Sequence, residues 1–213
     1  MNKEVYYVKS LEEDFATKTI KNKKKVIFQT IENIIKTKNI KPNTKSFGRE
    51  KRLSCTVLSK NYTKTYRPHG IIFQTLQKPD HILPFDLVLL SATDNIIVHY
   101  YRIKNNLHIY YNHSLINGFE KFFFKDFNSL LNKYSSPLIA WKEVNKFRKQ
   151  NGYNALPKNK FRLAEYNEAV FYKSIKIKPI AIYGYLPETI KIARELNLPR
   201  FISAKQFFNK INN

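Results

Sequence analysis

A glutamate followed by an apolar run is the feature of this sequence best suited to chemistry. Glu168 precedes residues 169–172, whose composition predicts a β-strand, and a second apolar run covers residues 177–183. A strand fixes the position of a carboxylate at its mouth, and desolvation strengthens the field of that charge. Glu168 is therefore a candidate electrostatic catalyst, and a solvated charge before a strand is the alternative. We expect Glu168→Ala to leave the fold intact, because such a carboxylate makes few packing contacts.

Metal-dependent nuclease motifs are incomplete in this chain. Pro79-Asp80 matches the start of a common nuclease pattern, but that site also needs a carboxylate and a lysine in the order Asp/Glu-x-Lys to hold Mg²⁺. The sequence contains no Asp/Glu-x-Lys. His108, Asn112 and His113 lie on a tyrosine-rich segment, where strand-edge residues are a better interpretation than metal ligands. We expect no metal cofactor.

Cysteine content and hydropathy bear on the compartment. Cys55 is the only cysteine, so no intramolecular disulfide forms and no Cys/His array has zinc spacing. The N-terminal segment carries acidic residues without the apolar run of a signal peptide, and nowhere do 18 apolar residues follow one another. These features predict a cytoplasmic protein with no membrane partner.

The charge of the chain predicts a polyanionic partner. Lys and Arg number 38 against 16 Asp and Glu, which gives a formal net charge of +22. A lysine-rich composition typical of AT-rich genes is the alternative explanation. Residues 18–52, however, are almost entirely basic among their charged positions, with only Glu32 and Glu50 opposing. Such clustering is typical of a phosphate-binding face, and it favours nucleic acid as the partner.

The elements that must position these residues are predicted from apolar patterns. A strand at residues 26–28 runs into a helix with Ile31, Ile34 and Ile35 on one face. A helix is predicted at residues 138–150, with Leu138, Trp141, Val144 and Phe147 on nearly one face. Further helices are expected from Pro187 and near Ser203. Other strands are predicted at residues 5–9, 70–75, 85–90, 96–103 and 107–111, with a hairpin turn at residues 104–106.

This order of elements predicts an α+β fold with a mostly antiparallel sheet. We expect one domain over residues 1–213, because the length suits a single core and no linker is evident. A basic, Ser/Thr-rich stretch at residues 43–68 is predicted to be a substrate-facing loop. None of the five glycines has the spacing of a phosphate-binding loop, so any nucleotide must be held otherwise.

Several segments resemble motifs of the ADP-ribosyltransferases, in particular the DarT-type enzymes that modify nucleic acid. Glu168 with Phe171, Tyr172 and Lys173 resembles the last motif, in which a glutamate opens a strand. Ile82-Leu83-Pro84-Phe85 followed by Ser91 resembles the strand before the NAD-facing turn. Arg49-Glu50-Lys51-Arg52 resembles a basic helix with a catalytic arginine, and residues 26–35 resemble the first strand and helix.

The resemblance covers about residues 26–197, and residues 1–25 are expected to be an N-terminal extension. It departs from the family at Phe28 and Gln29, where those enzymes commonly place a histidine that holds NAD. The resemblance implies split antiparallel sheets with flanking helices. It also implies a mono-ADP-ribosyltransferase that uses NAD as a substrate.

The resemblance implies roles for individual residues. Glu168 would stabilise the positive charge that develops when the bond between nicotinamide and ribose breaks, and Arg52 or Arg49 would neutralise the pyrophosphate. Tyrosines such as Tyr66, Tyr100 and Tyr101 would stack on nicotinamide or on a target base. The catalytic residues would be Glu168 and Arg52. The NAD-binding residues would be Gln29, Arg49, Ser91 and Tyr100.

The acceptor implied by the resemblance is a DNA or RNA base, and single-stranded substrate is favoured because a stacked base hides its reactive atoms. The basic loop would bind it through Lys45, Lys51, Lys60, Lys64 and Arg67. Such an activity implies a toxin with an antitoxin partner or a phage-defence effector. Two alternatives remain open: a metal-independent DNA restriction enzyme, either a nuclease or a base-excising glycosylase, and a non-catalytic nucleic-acid-binding protein.

Overall fold

A computed structural model describes residues 4–11, 30–42, 52–87, 89, 98–103, 106–111, 114–115 and 118–212. The chain divides into two compact units. The first unit comprises residues 1–41, 55–77 and 174–213, and the second comprises residues 42–54 and 78–173. The single domain expected from the sequence therefore stays a prediction.

Short strands and helices alternate along the described chain. The strands are β1 Tyr7–Ser10, β2 Asn39–Ile40, β3 Leu53–Val57, β4 Gly70–Gln74, β5 His81–Leu83, β6 Val98–Ile103, β7 Asn106–Tyr111, β8 Ser114–Leu115, β9 Glu168–Phe171, β10 Ile175–Lys176, β11 Lys178–Tyr183 and β12 Arg200–Phe201. The helices are α1 at residues 30–37, α2 Phe127–Lys133, α3 Pro137–Gln150, α4 Pro187–Glu195 and α5 Ala204–Asn212. Two 3₁₀ helices cover Phe119–Phe122 and Lys158–Ala164.

The first unit is built on a ladder in which β1 lies between β3 and β4. Tyr7 pairs antiparallel with Val57 on one side and with Phe73 on the other. β4 continues antiparallel to β11, and β12 runs parallel to β11. The last helix packs on this ladder because its apolar positions recur at helical spacing. The buried cluster consists of Val8, Leu58, Ile72, Ala181, Tyr183, Phe201, Ala204 and Phe207.

The second unit places β9 next to β5, and Glu168 pairs antiparallel with Leu83 of β5. The neighbour of β9 on its other side is β3, of which Leu53 and Ser54 belong to this unit. β6, β7 and β8 form a separate antiparallel meander. The core is aromatic, with Phe122 contacting Phe85 at 5.1 Å and Phe147 at 5.5 Å between ring centroids. Burial raises the pKa of Tyr134, which stacks on Phe122, to about 12.

The α+β class with a mostly antiparallel sheet is confirmed. The predicted helix in the middle of the chain, both C-terminal helices and the β6–β7 hairpin are confirmed as well. The described helices include none with the length and apolar composition that crossing a bilayer requires. The strand predicted at residues 26–28 lies outside the described residues.

Three predicted elements are wrong in detail. The strand predicted at residues 85–90 is wrong for the described residues 85–87 and 89, because Pro84 interrupts the preceding strand and the amide of Leu89 donates to the carbonyl of Asp86 in a tight turn. The predicted loop at residues 43–68 includes β3, in which Leu53, Cys55 and Val57 are buried. Arg52 immediately precedes β3 in extended pairing and does not lie in a helix.

Helix α3 buries Val144 and Phe147 of the predicted apolar face, whereas Trp141 is half-buried and Leu138 is 51% exposed. Ala140 and Arg148 are buried as well. Arg148 is covered because its guanidinium Nε donates to the carbonyl of Asn154 at 2.9 Å. Helix α2 was missed, although Asp126 caps it by accepting from the Ser129 amide.

Candidate active site

The site is centred on the Glu168 carboxylate at the first residue of β9. Glu168 is 6% exposed. Its Oε1 accepts a hydrogen bond of 2.5 Å from the Ser54 hydroxyl and lies 3.5 Å from Arg52 Nη2. Its Oε2 accepts a hydrogen bond of 3.0 Å from the backbone amide of Leu87. Donors from two separate segments of the second unit thus hold both carboxylate oxygens in place.

Strand periodicity explains why Arg52 and Ser54 act together. Side chains two positions apart in extended chain point to the same face, so both reach toward the neighbouring strand β9. The Ser54 hydroxyl lies at hydrogen-bonding distance from Glu168 Oε1. The guanidinium at 3.5 Å lies beyond the usual hydrogen-bond range and acts mainly through its charge.

The turn after β5 supplies the third donor. The amide of Asp86 donates to the carbonyl of Leu163 at 3.0 Å, and the Tyr166 hydroxyl donates to Asp86 Oδ2 at 3.1 Å. These two bonds fix the peptide that presents the Leu87 amide to Glu168. A backbone donor held in this way is preorganised, because it does not reorient when charge develops nearby.

Burial gives this ion pair its electrostatic character. Arg52 is 8% exposed and Glu168 is covered to a similar degree, so little water screens either charge. Withdrawing two charges from water costs several kcal/mol per ion before their attraction compensates. Each carboxylate oxygen has two acceptor positions, and the Leu87 amide fills one of those on Oε2. The arrangement suits a fixed negative charge that receives one further donor or faces a developing cation.

The structure brings together the two residues predicted to be catalytic, Glu168 and Arg52. Tyr100 lies on β6 of the same unit, opposite Ile109. The remaining predicted NAD-binding residues Gln29, Arg49 and Ser91, and the predicted nucleic-acid contacts Lys45 and Lys51, lie outside the described residues.

The other predicted nucleic-acid contacts belong to the first unit. Lys60 and Lys64 are exposed. Arg67 is half-buried, and its guanidinium lies 4.6 Å from the centroid of the Tyr66 ring. The structure therefore does not assign these three cations to the compact unit that holds Glu168.

Sequence reasoning missed Ser54 and the Leu87 amide. The alternation of Arg52 and Ser54 is a signal that identifies Ser54 once residues 53–57 are recognised as a strand. Nothing local marks the Leu87 amide, because its role depends on a fold-level contact 81 residues away in sequence. The expectation that Glu168→Ala would leave the fold intact also needs correction, because the carboxylate is buried and bonded.

The described residues include no group of three or more His, Cys, Asp or Glu side chains that could hold a metal ion. Comparisons of the chain with family models, with curated proteins and with solved structures give no match.

Proposed function

We propose that this protein is an NAD-dependent mono-ADP-ribosyltransferase that modifies a base of single-stranded nucleic acid, with the split-sheet fold of that superfamily. One observation carries the proposal. A buried carboxylate at the start of a strand is fixed by a hydroxyl, a backbone amide and a guanidinium. Such a group would stabilise the positive charge that develops on ribose when NAD is cleaved.

The reaction breaks the bond between nicotinamide and the anomeric carbon of ribose. Nicotinamide leaves with the bonding electron pair, and positive charge develops on the ribose ring. A fixed carboxylate stabilises that charge more effectively when water is excluded, because the interaction strengthens as the local dielectric constant falls. A ring nitrogen or amine of the acceptor base then bonds to the anomeric carbon and releases a proton to Glu168 or to solvent.

Arg52 has a different role here from the one first expected. Because the Arg52 guanidinium lies 3.5 Å from Glu168 Oε1, we assign to Arg52 the role of holding the carboxylate in its orientation. We place it beside Glu168 as a positioning residue.

The charge of the chain supports nucleic acid as the acceptor. A net charge of +22 exceeds by far what solubility of a small domain requires. An enzyme that modifies nucleic acid in its own cytoplasm would be toxic, so we propose a toxin–antitoxin or phage-defence role with a neutralising antitoxin.

Incubation with labelled NAD⁺ tests the proposal directly. The protein is mixed with single-stranded DNA, RNA or unrelated protein, and label is measured on each fraction. We expect label on one nucleic acid. Glu168→Gln should lower the rate about 10²–10³-fold, because it removes the charge and keeps a side chain of the same size. Glu120→Gln removes an exposed carboxylate of the same unit and is the matched control.

Two outcomes would overturn the proposal. One is a folded Glu168→Gln variant, judged by circular dichroism, that transfers label at the rate of the Glu120→Gln control. The other is the absence of label from all three fractions. Base loss from DNA without NAD⁺ would indicate a glycosylase instead, since the same carboxylate stabilises the same kind of sugar cation.

A further inference from the structure

A second basic region lies in the same compact unit as Glu168, on α3 and the 3₁₀ helix Lys158–Ala164. Between residues 137 and 164 the sequence has Glu143 as its one acidic residue. Five basic residues there are exposed, and Lys160 is half-buried. The set, called here the α3 basic surface, is Lys142, Lys146, Lys149, Lys158, Lys160 and Arg162.

The lysines of α3 form one stripe. At 3.6 residues per turn, Lys142, Lys146 and Lys149 fall within about 60° of one another around the helix axis. The apolar residues Ala140, Val144 and Phe147 occupy the opposite, buried face. The three ammonium groups therefore face solvent on a single side, where a row of phosphates can lie against them.

The segment that carries the other cations packs beside this stripe. The Asn145 side chain accepts a hydrogen bond of 2.7 Å from the Leu156 amide, and Trp141 contacts Phe161 edge-on at 5.5 Å. Trp141 and Asn145 are each rotated by about 40° or more around the α3 axis from the nearest lysine of the stripe. The 3₁₀ helix thus runs along the flank that adjoins the lysines.

Trp141 and Phe161 add aromatic surface to these cations. Both rings are half-buried, and the neighbouring Leu138 and Ile139 are 51% and 39% exposed. Proteins that bind single strands combine a basic track for the backbone with aromatic rings on which bases stack. A duplex offers no unstacked bases to such rings, so the combination favours a single strand.

A short chain of hydrogen bonds connects this surface to Glu168 within the second unit. Leu163, at the end of the 3₁₀ helix, accepts from the Asp86 amide at 3.0 Å. Leu87, which follows Asp86 in the chain, donates its backbone N–H to Glu168 Oε2 at 3.0 Å. The element that carries Lys158, Lys160 and Arg162 is therefore bonded to the turn that holds the candidate catalytic carboxylate.

We propose that the α3 basic surface binds single-stranded nucleic acid, with its lysines on the phosphates and Trp141 stacked on a base. This inference rests on the proposed function, because that function makes the bound strand the acceptor of the modification. It moves the acceptor site from the predicted loop at residues 43–68 to α3.

The single tryptophan of the chain makes the test specific, because Trp141 is the only indole. The full chain is titrated without NAD⁺ with single-stranded DNA, single-stranded RNA and duplex DNA, and tryptophan fluorescence is followed. We expect quenching by a single strand. Trp141→Phe, followed by anisotropy of a labelled oligonucleotide, should weaken binding about 5- to 100-fold. Lys142→Gln/Lys146→Gln/Lys149→Gln should lower the slope of log affinity against log salt by about 2.

The matched control removes three exposed lysines from the first unit, as Lys191→Gln/Lys205→Gln/Lys210→Gln. An equal loss of affinity in this control would overturn the proposal, since binding would then follow net charge alone. Tighter binding of duplex DNA, or no quenching, would also overturn it. Binding with the expected pattern but no NAD⁺-dependent label would contradict the proposed function and leave this surface supported.

Discussion

The two compact units both bury polar groups, but one buries a neutral network and the other a charge pair. In the first unit the Tyr183 hydroxyl donates to the carbonyl of Arg67 at 3.2 Å and lies 3.0 Å from the Ser10 hydroxyl. Burial raises the pKa of Tyr183, so this hydroxyl stays neutral. In the second unit Glu168 and Arg52 lie 3.5 Å apart under comparable cover.

The difference indicates what each arrangement contributes. Neutral hydrogen bonds replace bonds to water and contribute on the order of 1 kcal/mol each. The attraction within a buried ion pair must first offset the free-energy cost of removing two charges from water. Apolar residues of similar volume at the same positions often stabilise a fold as well as the ion pair does, or better. The network around Tyr183 is therefore suited to holding the fold. The pair at Glu168 is suited to presenting a fixed charge.

The largest expected effect comes from breaking the ion pair on one side. Arg52→Ala leaves a buried carboxylate without its main counter-charge, which should cost about 3–5 kcal/mol of unfolding free energy. Urea denaturation followed by Trp141 fluorescence measures this in the unit that contains Glu168.

The double variant Arg52→Met/Glu168→Gln separates stability from function. It removes both charges, so it should recover most of the stability lost in Arg52→Ala and remain inactive with NAD⁺. If the double variant were no more stable than Arg52→Ala, the stability lost in Arg52→Ala would come from packing. That result would contradict the claim that the unpaired charge of Glu168 causes the loss.

Two hydroxyl deletions compare a hydrogen bond to a charged group with a hydrogen bond to a neutral group. Ser54→Ala removes a bond to a charged carboxylate, and Ser10→Ala removes a bond to a neutral phenol. The first should cost about 1.5–3 kcal/mol and the second about 0.5–1.5 kcal/mol. Thermal denaturation of both variants provides the measurement. Equal costs would mean that the charge on Glu168 adds nothing to its bond with Ser54.

The smallest effect is expected at an exposed charge. Hydrogen bonds from the Ser129 amide and hydroxyl lower the pKa of the Asp126 carboxyl. Asp126→Ala should cost about 0.5–2 kcal/mol at neutral pH through loss of the cap on α2. A lowered folded pKa gives stability that is present above the ordinary Asp pKa and is lost as pH falls through the folded value.

The stability difference between wild type and Asp126→Ala should accordingly narrow in acid, as measured by urea denaturation at several pH values. Asp126→Asn keeps an oxygen acceptor without the titration and should lose little at neutral pH. A difference that stays constant into acid would show that the charge of Asp126 plays no part.

Much of the fold is predictable from local signals. The Ser136-Pro137 start, the apolar spacing through Phe147 and the alternation along β6 and β7 depend on neighbouring residues alone, so α3 and the hairpin were expected. The sequence also predicted a strand opened by Glu168, which is confirmed, and a polyanionic partner, which stays a prediction. Each of these features depends on residue types close together in the chain or on total charge.

Only the tertiary structure decided what surrounds Glu168 and which residues of α3 beyond Val144 and Phe147 are buried. Ser54 lies 114 residues from Glu168 in sequence, and its contact exists because β3 is the neighbour of β9. Arg148 is buried because the carbonyl of Asn154 receives its guanidinium, against the ordinary preference of arginine for solvent. Helical periodicity marks a stripe of residues, but packing and hydrogen bonding decide which members of the stripe, and which of their neighbours, are buried. Strand order and burial, which no local pattern encodes, therefore turn Glu168 from a solvated charge into a fixed one.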